Sequence, residues 1–333
     1  MTRTLKAILT LAMISPILPA LSFAQDKSIY GEDNRIELFN ASPETFKLAD
    51  SVVSIWESGS VQYDSASKTF SLKTVKFGDK LNLCPKERFR EQPMGAFCSG
   101  SLVGDDLIMT AGHCITDQTK CDDAKIVFGF ALKNTGAAAT TKMGAGDVYT
   151  CKKIITRFLG GEPGSVNPAG QRLGPDYALI QLDRKVTGHK PLAINRGQNL
   201  KKGDKMMVIG HPVGLPLKIA AGSSVRDASQ QGYFVTDLDT FGGNSGSPVF
   251  NTATRLIEGI LVRGDEDFQS TPAGCTTMST YTQDGGRGED VTKISALEAF
   301  IPRPAMKFKH MNAVIESPAA QEDLSRRYSA DFQ

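Results

Sequence analysis

Between about residues 50 and 262 the chain is a succession of short apolar runs punctuated by turn residues. Leu107-Ile108-Met109-Thr110 follows a Gly104-Asp105-Asp106 turn, and residues 126–131, 148–155, 177–182, 206–209 and 256–262 repeat the form. Each run has strand length, is rich in branched side chains and is bounded by Gly, Asn, Asp or Pro, so each predicts a strand. Many short strands with regular turns predict an all-β barrel or sandwich. Amphipathic patterns of helical length are confined to the ends, at residues 43–50 and in roughly the last thirty residues. There is no internal repeat and no low-complexity tract. Pro302-Arg303-Pro304 is expected to end the packed region, leaving a tail too short for another domain.

Composition refines this picture. With 40% hydrophobic and 22% charged residues the chain is globular rather than disordered. The 32 Gly and 16 Pro agree with a turn-rich, strand-rich fold. The formal charge is +2, and Arg3 and Lys6 are the only charged residues before Gln25. Without that segment acids and bases balance, so no global field favours nucleic acid, and no nucleic-acid partner is expected.

Residues 1–24 read as a secretory signal peptide. Arg3 and Lys6 form a basic start, residues 7–20 an apolar stretch broken by Pro16 and Pro19, and Ser22-Phe23-Ala24 a small-x-small cleavage site. The stretch is too short to span a bilayer comfortably. The expectation is a secreted or periplasmic protein with no membrane association after cleavage. Six cysteines, an even number, suggest disulfides in an oxidising compartment. No Cys-x-x-Cys pair exists and the four histidines are scattered, so no metal is expected.

Three local sequences carry chemistry. The first is Phe97-Cys98-Ser99-Gly100-Ser101-Leu102, followed by Thr110-Ala111-Gly112-His113-Cys114. The second is Pro175-Asp176-Tyr177-Ala178-Leu179-Ile180. The third is Asp239-Thr240-Phe241-Gly242-Gly243-Asn244-Ser245-Gly246-Ser247-Pro248. A His, an Asp and a Ser thus occur in that order, each at the edge of an apolar strand. Acyl transfer to a hydroxyl needs such a set: a base to activate the serine, a carboxylate to orient the imidazole, and preorganised N–H donors for the oxyanion. Ser247 is a poorer nucleophile candidate, because Pro248 follows it and the glycine turn centres on Ser245. His211, in Gly210-His211-Pro212, reads as a structural turn histidine.

These motifs resemble those of the chymotrypsin-like serine proteases, over roughly residues 50–302. The resemblance implies two six-stranded antiparallel β-barrels with the active site in the cleft between them. It makes His113 the general base, Asp176 its orienter and Ser245 the nucleophile, with the N–H groups of Gly243 and Ser245 as the oxyanion hole. It implies no cofactor, a peptide or protein substrate, and a monomer. The chain then divides into a signal peptide (1–24), an N-terminal extension or short pro-segment (25–49), a first barrel (50–190), a second barrel (191–302) and a tail (303–333). Cys98 and Cys114 match the family's disulfide beside the histidine. Of the other four cysteines, Cys121 with Cys151 is the favoured pair, which leaves Cys84 with Cys275, or both free.

Departures from the family sharpen the reading. Asn244 stands where the digestive and clotting branch has an aspartate that pairs with a newly cut N-terminus, and Asn cannot make that ion pair. Gly-Asn-Ser-Gly-Ser-Pro instead resembles the bacterial branch, similar to glutamyl endopeptidases. Asp239, six residues before Ser245, falls where the family places the base of its primary pocket, and would favour Lys or Arg before the scissile bond. Arg263 and Gly264 fall on the pocket wall, and Arg263 is also a partner for Asp239. The glutamyl endopeptidases use a pocket histidine where this chain has Leu261. The reading is an exported serine endopeptidase; a catalytically silent binding module and an esterase with the same triad are the rivals.

Overall fold

Strands of four to twelve residues leave rows of backbone donors and acceptors that only closure into a ring satisfies completely. In the computed structural model this happens twice. Val52–Glu57, Cys98–Gly104, Leu107–Thr110, Ala124–Phe128, Val148–Leu159 and Asp176–Leu182 form one closed barrel. Lys205–Gly210, Lys218–Asp227, Tyr233–Thr236, Pro248–Asn251, Ile257–Arg263 and Glu289–Lys293 form a second ring, which Lys205–Gly210 closes by pairing with Lys218–Asp227. All pairings within both rings are antiparallel. The expected all-β pair of six-stranded barrels is the architecture found. The structure describes residues 28–160, 174–197 and 199–303. The signal peptide, the helix expected near the C-terminus and the tail beyond residue 303 lie outside them.

The second ring holds its own apolar cluster, including Val208, Ala220, Phe234, Val249, Leu261 and Val291, while the opposite faces of its strands join the core of the first barrel. Ile55, Leu102, Ile108, Ile126 and Leu179 from the first pack in the same cluster as Ile209, Phe250 and Ile260 from the second. Burying each such side chain stabilises the fold by about 1.5–3 kcal/mol. The helix expected at residues 43–50 is Pro43–Ala49, whose N-cap Ser42 accepts from Thr45 N at 3.2 Å. Helices are not confined to the ends, however. Gln118–Asp122 forms a short one because Asp117 caps it, accepting from Lys120 N at 2.9 Å.

Further strands lie outside the rings. Val61–Asp64 and Thr69–Leu72 pair as a hairpin, extended by Lys142–Gly144. The N-terminal segment is woven onto the second barrel: Ile29–Tyr30 pairs in parallel with Thr280–Tyr281, and Arg35–Glu37 adds to the edge of Lys218–Asp227. Ile29 enters a small apolar cluster with Phe77, Leu83, Leu215, Phe241 and Met278. Lys218, buried, reaches Glu37 Oε2 at 3.1 Å and the Pro216 carbonyl at 2.8 Å. Burial pushes that ammonium down to about 8, against the pull of Glu37.

Disulfides join Cys98 to Cys114, Cys121 to Cys151 and Cys84 to Cys275. The first ties the turn carrying His113 to the neighbouring strand, and the second links the Gln118–Asp122 helix to Val148–Leu159. The third connects the excursion before Cys98 to the loop after Arg263, and so spans the two barrels.

Candidate active site

Strand register sets the first two members of the site. Asp176–Leu182 runs antiparallel to Leu107–Thr110 with Ala178 opposite Thr110. Two residues further along, Asp176 therefore comes beside Gly112 and His113. Its carboxylate Oδ2 lies 2.6 Å from His113 Nδ1, and its Oδ1 accepts from Gly112 N at 2.6 Å and His113 N at 3.1 Å. The carboxylate is fully buried, while the imidazole keeps 17% of its side-chain surface exposed. Gly112 is required here: a Cβ would stand 2.9 Å from that carboxylate and 2.4 Å from the Phe158 carbonyl. Arg157 Nε donates to Gly112 O at 2.7 Å and braces the turn from the other side. Across the barrel interface Thr292 Oγ1 accepts from Asp176 N at 2.9 Å and donates to Asp176 O at 2.8 Å.

Ser245 sits in the turn before Pro248–Asn251, and its carbonyl accepts from Ser99 N at 2.9 Å. Gly246 has φ +91°, and a Cβ there would lie 2.1 Å from the Ser99 carbonyl, so the turn excludes any other residue. The Gly242 carbonyl accepts from Val213 N at 2.5 Å. In the trans peptide that bond turns the Gly243 N–H to the opposite side. Gly243 O accepts from Ser99 Oγ at 2.9 Å, and Ser99 Oγ in turn accepts from His211 N at 2.9 Å. Ser99 thus locks the turn of Ser245 to the first barrel. Nothing in the first motif alone marks Ser99 for this role; its position directly after Cys98, the cysteine bridged to Cys114, is the one signal the sequence carries.

The remaining expected residues fall as follows. Ser247 is fully buried and donates to Asn244 Oδ1 at 3.1 Å. His211 is buried, shares a hydrogen bond with the Leu215 carbonyl through Nδ1, and is pushed down to about 3 by burial. Asp239 accepts from Tyr30 N at 2.8 Å and Asn34 N at 2.7 Å, so both carboxylate oxygens hold the N-terminal segment. Burial pushes its carboxyl up to about 6, with those two bonds pulling the other way. Arg263 pairs with Asp290 at 3.0 Å and donates to Gly174 O at 3.0 Å. Gly264 has the Glu289 carboxylate 2.1 Å from where a Cβ would stand. Glu289, which sequence reasoning missed, is buried and accepts from Ser28 N, Tyr30 Oη and Thr240 Oγ1. Cys98, His113 and Cys114 converge closely enough to ligate a metal, but both sulfurs are committed to the disulfide, which leaves neither as a thiolate.

Comparison with known proteins agrees with this geometry. Residues 98–257 match the model of the trypsin-like peptidase domain. Exfoliative toxin A of Staphylococcus aureus is 28% identical over 159 residues, 48% of this chain and 54% of the toxin. Glutamyl endopeptidase of Staphylococcus aureus (strain MRSA252) is 28% identical over 169 residues, 50% of this chain and 43% of that protein. The chain spans about half the length of these curated relatives. The structure of the Vibrio cholerae VesB protease aligns with a TM-score of 0.47 at 16% identity, covering 81% of this chain and 66% of that one. The matching domain, the paired barrels and the ordered His, Asp and Ser motifs are those of the bacterial trypsin-like serine protease superfamily.

Proposed function

We propose that the protein is an exported serine endopeptidase that cleaves its substrate through an acyl-enzyme on Ser245. The observation that carries this is the 2.6 Å contact between His113 Nδ1 and a fully buried Asp176, itself fixed by two backbone N–H groups. A carboxylate so held fixes the Nδ1–H tautomer, leaving Nε2 as the base that takes the Ser245 proton and returns it to the leaving amine. The Gly243 and Ser245 N–H groups serve the oxyanion in the tetrahedral intermediate. No step calls for a cofactor. Three disulfides support an oxidising destination, secreted or periplasmic.

The substrate is a peptide or protein. Where the family seats the residue before the cut, this chain gathers two buried carboxylates, Asp239 and Glu289. A substrate glutamate there would meet like charge, so the specificity named for the glutamyl endopeptidases does not carry over.

A fluorophosphonate probe tests the assignment. The wild type is expected to label at one serine, and Ser245→Ala to lose labelling together with several orders of magnitude in turnover. Retained labelling of Ser245→Ala with loss in Ser247→Ala would move the nucleophile. A wild type that does not label is a silent binding module. Labelling with ester but no peptide hydrolysis makes it an esterase.

A further inference from the structure

The Gly242–Gly243 peptide carries the N–H that the acyl-transfer reading above assigns to the oxyanion. Neither residue has a Cβ, so local sterics leave this peptide free to face either way. Its orientation is therefore decided from outside the Ser245 turn. The deciding segment is the tight turn Pro212–Gly214 with its flanking residues His211 and Leu215. Val213 N donates to Gly242 O at 2.5 Å. Ser99 Oγ accepts from His211 N at 2.9 Å and donates to Gly243 O at 2.9 Å. The carbonyls on both sides of the Gly243 N–H are thus tied to one segment. The approach is backbone to backbone: a Cβ on Gly243, at φ +80°, would stand 2.8 Å from Gly214 N and 3.1 Å from His211 O.

Val213 makes its contact from an unfavourable conformation. Its φ of 48° and ψ of 22° lie in the left-handed region, where a β-branched side chain crowds its own backbone. Such a conformation persists only where the surroundings impose it. His211 Nδ1 donates to the Leu215 carbonyl at 3.0 Å and spans the turn. Burial pushes that imidazole down to about 3, so the tether stays neutral wherever a histidine base can act. Gly95 N donates to Gly214 O at 3.0 Å and holds the turn from outside. The Val213 side chain packs against the cluster that contains Leu215 and Phe241.

We infer that Val213 is a positioning residue, which acts with Ser99 as a clamp on the oxyanion donor. Its N–H, aimed by the left-handed backbone, grips the Gly242 carbonyl, while the Ser99 hydroxyl grips the Gly243 carbonyl. The Gly243 N–H is then presented before substrate arrives, and no reorientation is needed as negative charge develops. The inference rests on the acyl-transfer reading above.

The test compares kcat, KM and the inhibition constant of a peptide aldehyde, whose serine adduct carries an oxygen where the intermediate has its oxyanion. Val213→Pro removes the N–H and, with φ fixed near about −65°, excludes the observed backbone. Its kcat is expected to fall about a hundredfold, with aldehyde affinity falling alongside and KM within about threefold, as for loss of an oxyanion donor. Val213→Asn keeps the N–H in a residue that tolerates the left-handed region, and is expected to recover kcat to within about threefold of wild type. Ser99→Ala leaves the turn's backbone intact and is expected to lower kcat about tenfold at unchanged KM. Wild-type kcat in Val213→Pro overturns the clamp. So does Val213→Asn as impaired as Val213→Pro, which would assign the effect to the side chain, and so does a loss confined to KM. If Val213→Pro does not fold, unchanged kcat in Ser99→Ala overturns the clamp and a selective fall in kcat supports it. These outcomes leave the protease reading standing as long as the wild type labels with a fluorophosphonate. A wild type that neither labels nor cleaves overturns both.

Discussion

Asp239→Asn tests the buried clamp on the N-terminal segment. Asp239 is 1% exposed and holds Tyr30 N and Asn34 N. Burial raises its pKa from 3.8 to about 6; the two N–H bonds and Arg35 pull it down, and Asp33 pushes it up. A carboxyl raised in this way binds its proton more tightly folded than unfolded. Its contribution to stability is complete below about pH 4, is lost as the pH rises through about 6, and is flat above that. A shift of about 2 units corresponds to about 3 kcal/mol. Asn keeps the volume and one acceptor but cannot titrate. Urea unfolding of both proteins between pH 4 and 7 isolates the group, because other titrations cancel in the difference. The wild type should lose about 3 kcal/mol relative to Asp239→Asn across this window. A flat difference, or one of opposite sign, would refute the reasoning. A variant with wild-type stability at every pH and a selective loss of Lys and Arg substrates would return Asp239 to a substrate-reading role.

Further outcomes follow from the site. Gly246→Ala forces a Cβ to 2.1 Å from the Ser99 carbonyl at φ +91°; it should abolish probe labelling and lower the melting temperature, and a labelled, stable variant would contradict the turn described. Replacing both Cys98 and Cys114 by Ser opens a bridge with a sequence separation of 16 and should cost about 3 kcal/mol in unfolding, with activity lost at milder denaturant than the global transition. Asn244 cannot form an activation ion pair, so acetylating the N-terminus of the active enzyme should leave kcat unchanged; loss of activity would contradict this.

The strands were legible because closed barrels impose a local pattern of short branched runs ended by turn residues. Residues 107–110, 177–182 and 206–209 all fall within barrel strands. The three motifs were legible because their residue types are dictated by chemistry, Gly112 by the approach of Asp176 and Gly246 by its φ. What escaped depends on partners distant in sequence. The donors on Asp239 are backbone N–H groups of Tyr30 and Asn34, more than two hundred residues away, and any non-proline residue supplies such a donor. Two- and three-residue strands such as Ile29–Tyr30 and Arg35–Glu37 are too short to show a period. Glu289 lay in an ordinary polar stretch, and only its burial beside Gly264 and Thr240 marks it.

The placement of Arg35–Glu37 on the second barrel orders events during synthesis. The first barrel is contiguous from Val52 to Leu182 and has all its strands once that stretch is made. The ring bearing Ser245 needs Glu289–Lys293, the last strand among the described residues, and then the early Arg35–Glu37 segment on its edge. At the usual pace of translation, roughly ten seconds separate the two. Through that interval a growing chain already displays His113 and Asp176 but has no finished Ser245 turn. A chain in which only the first ring has closed thus carries His113 and Asp176 without the ordered turn of Ser245, so the pair is assembled one barrel ahead of the serine it faces.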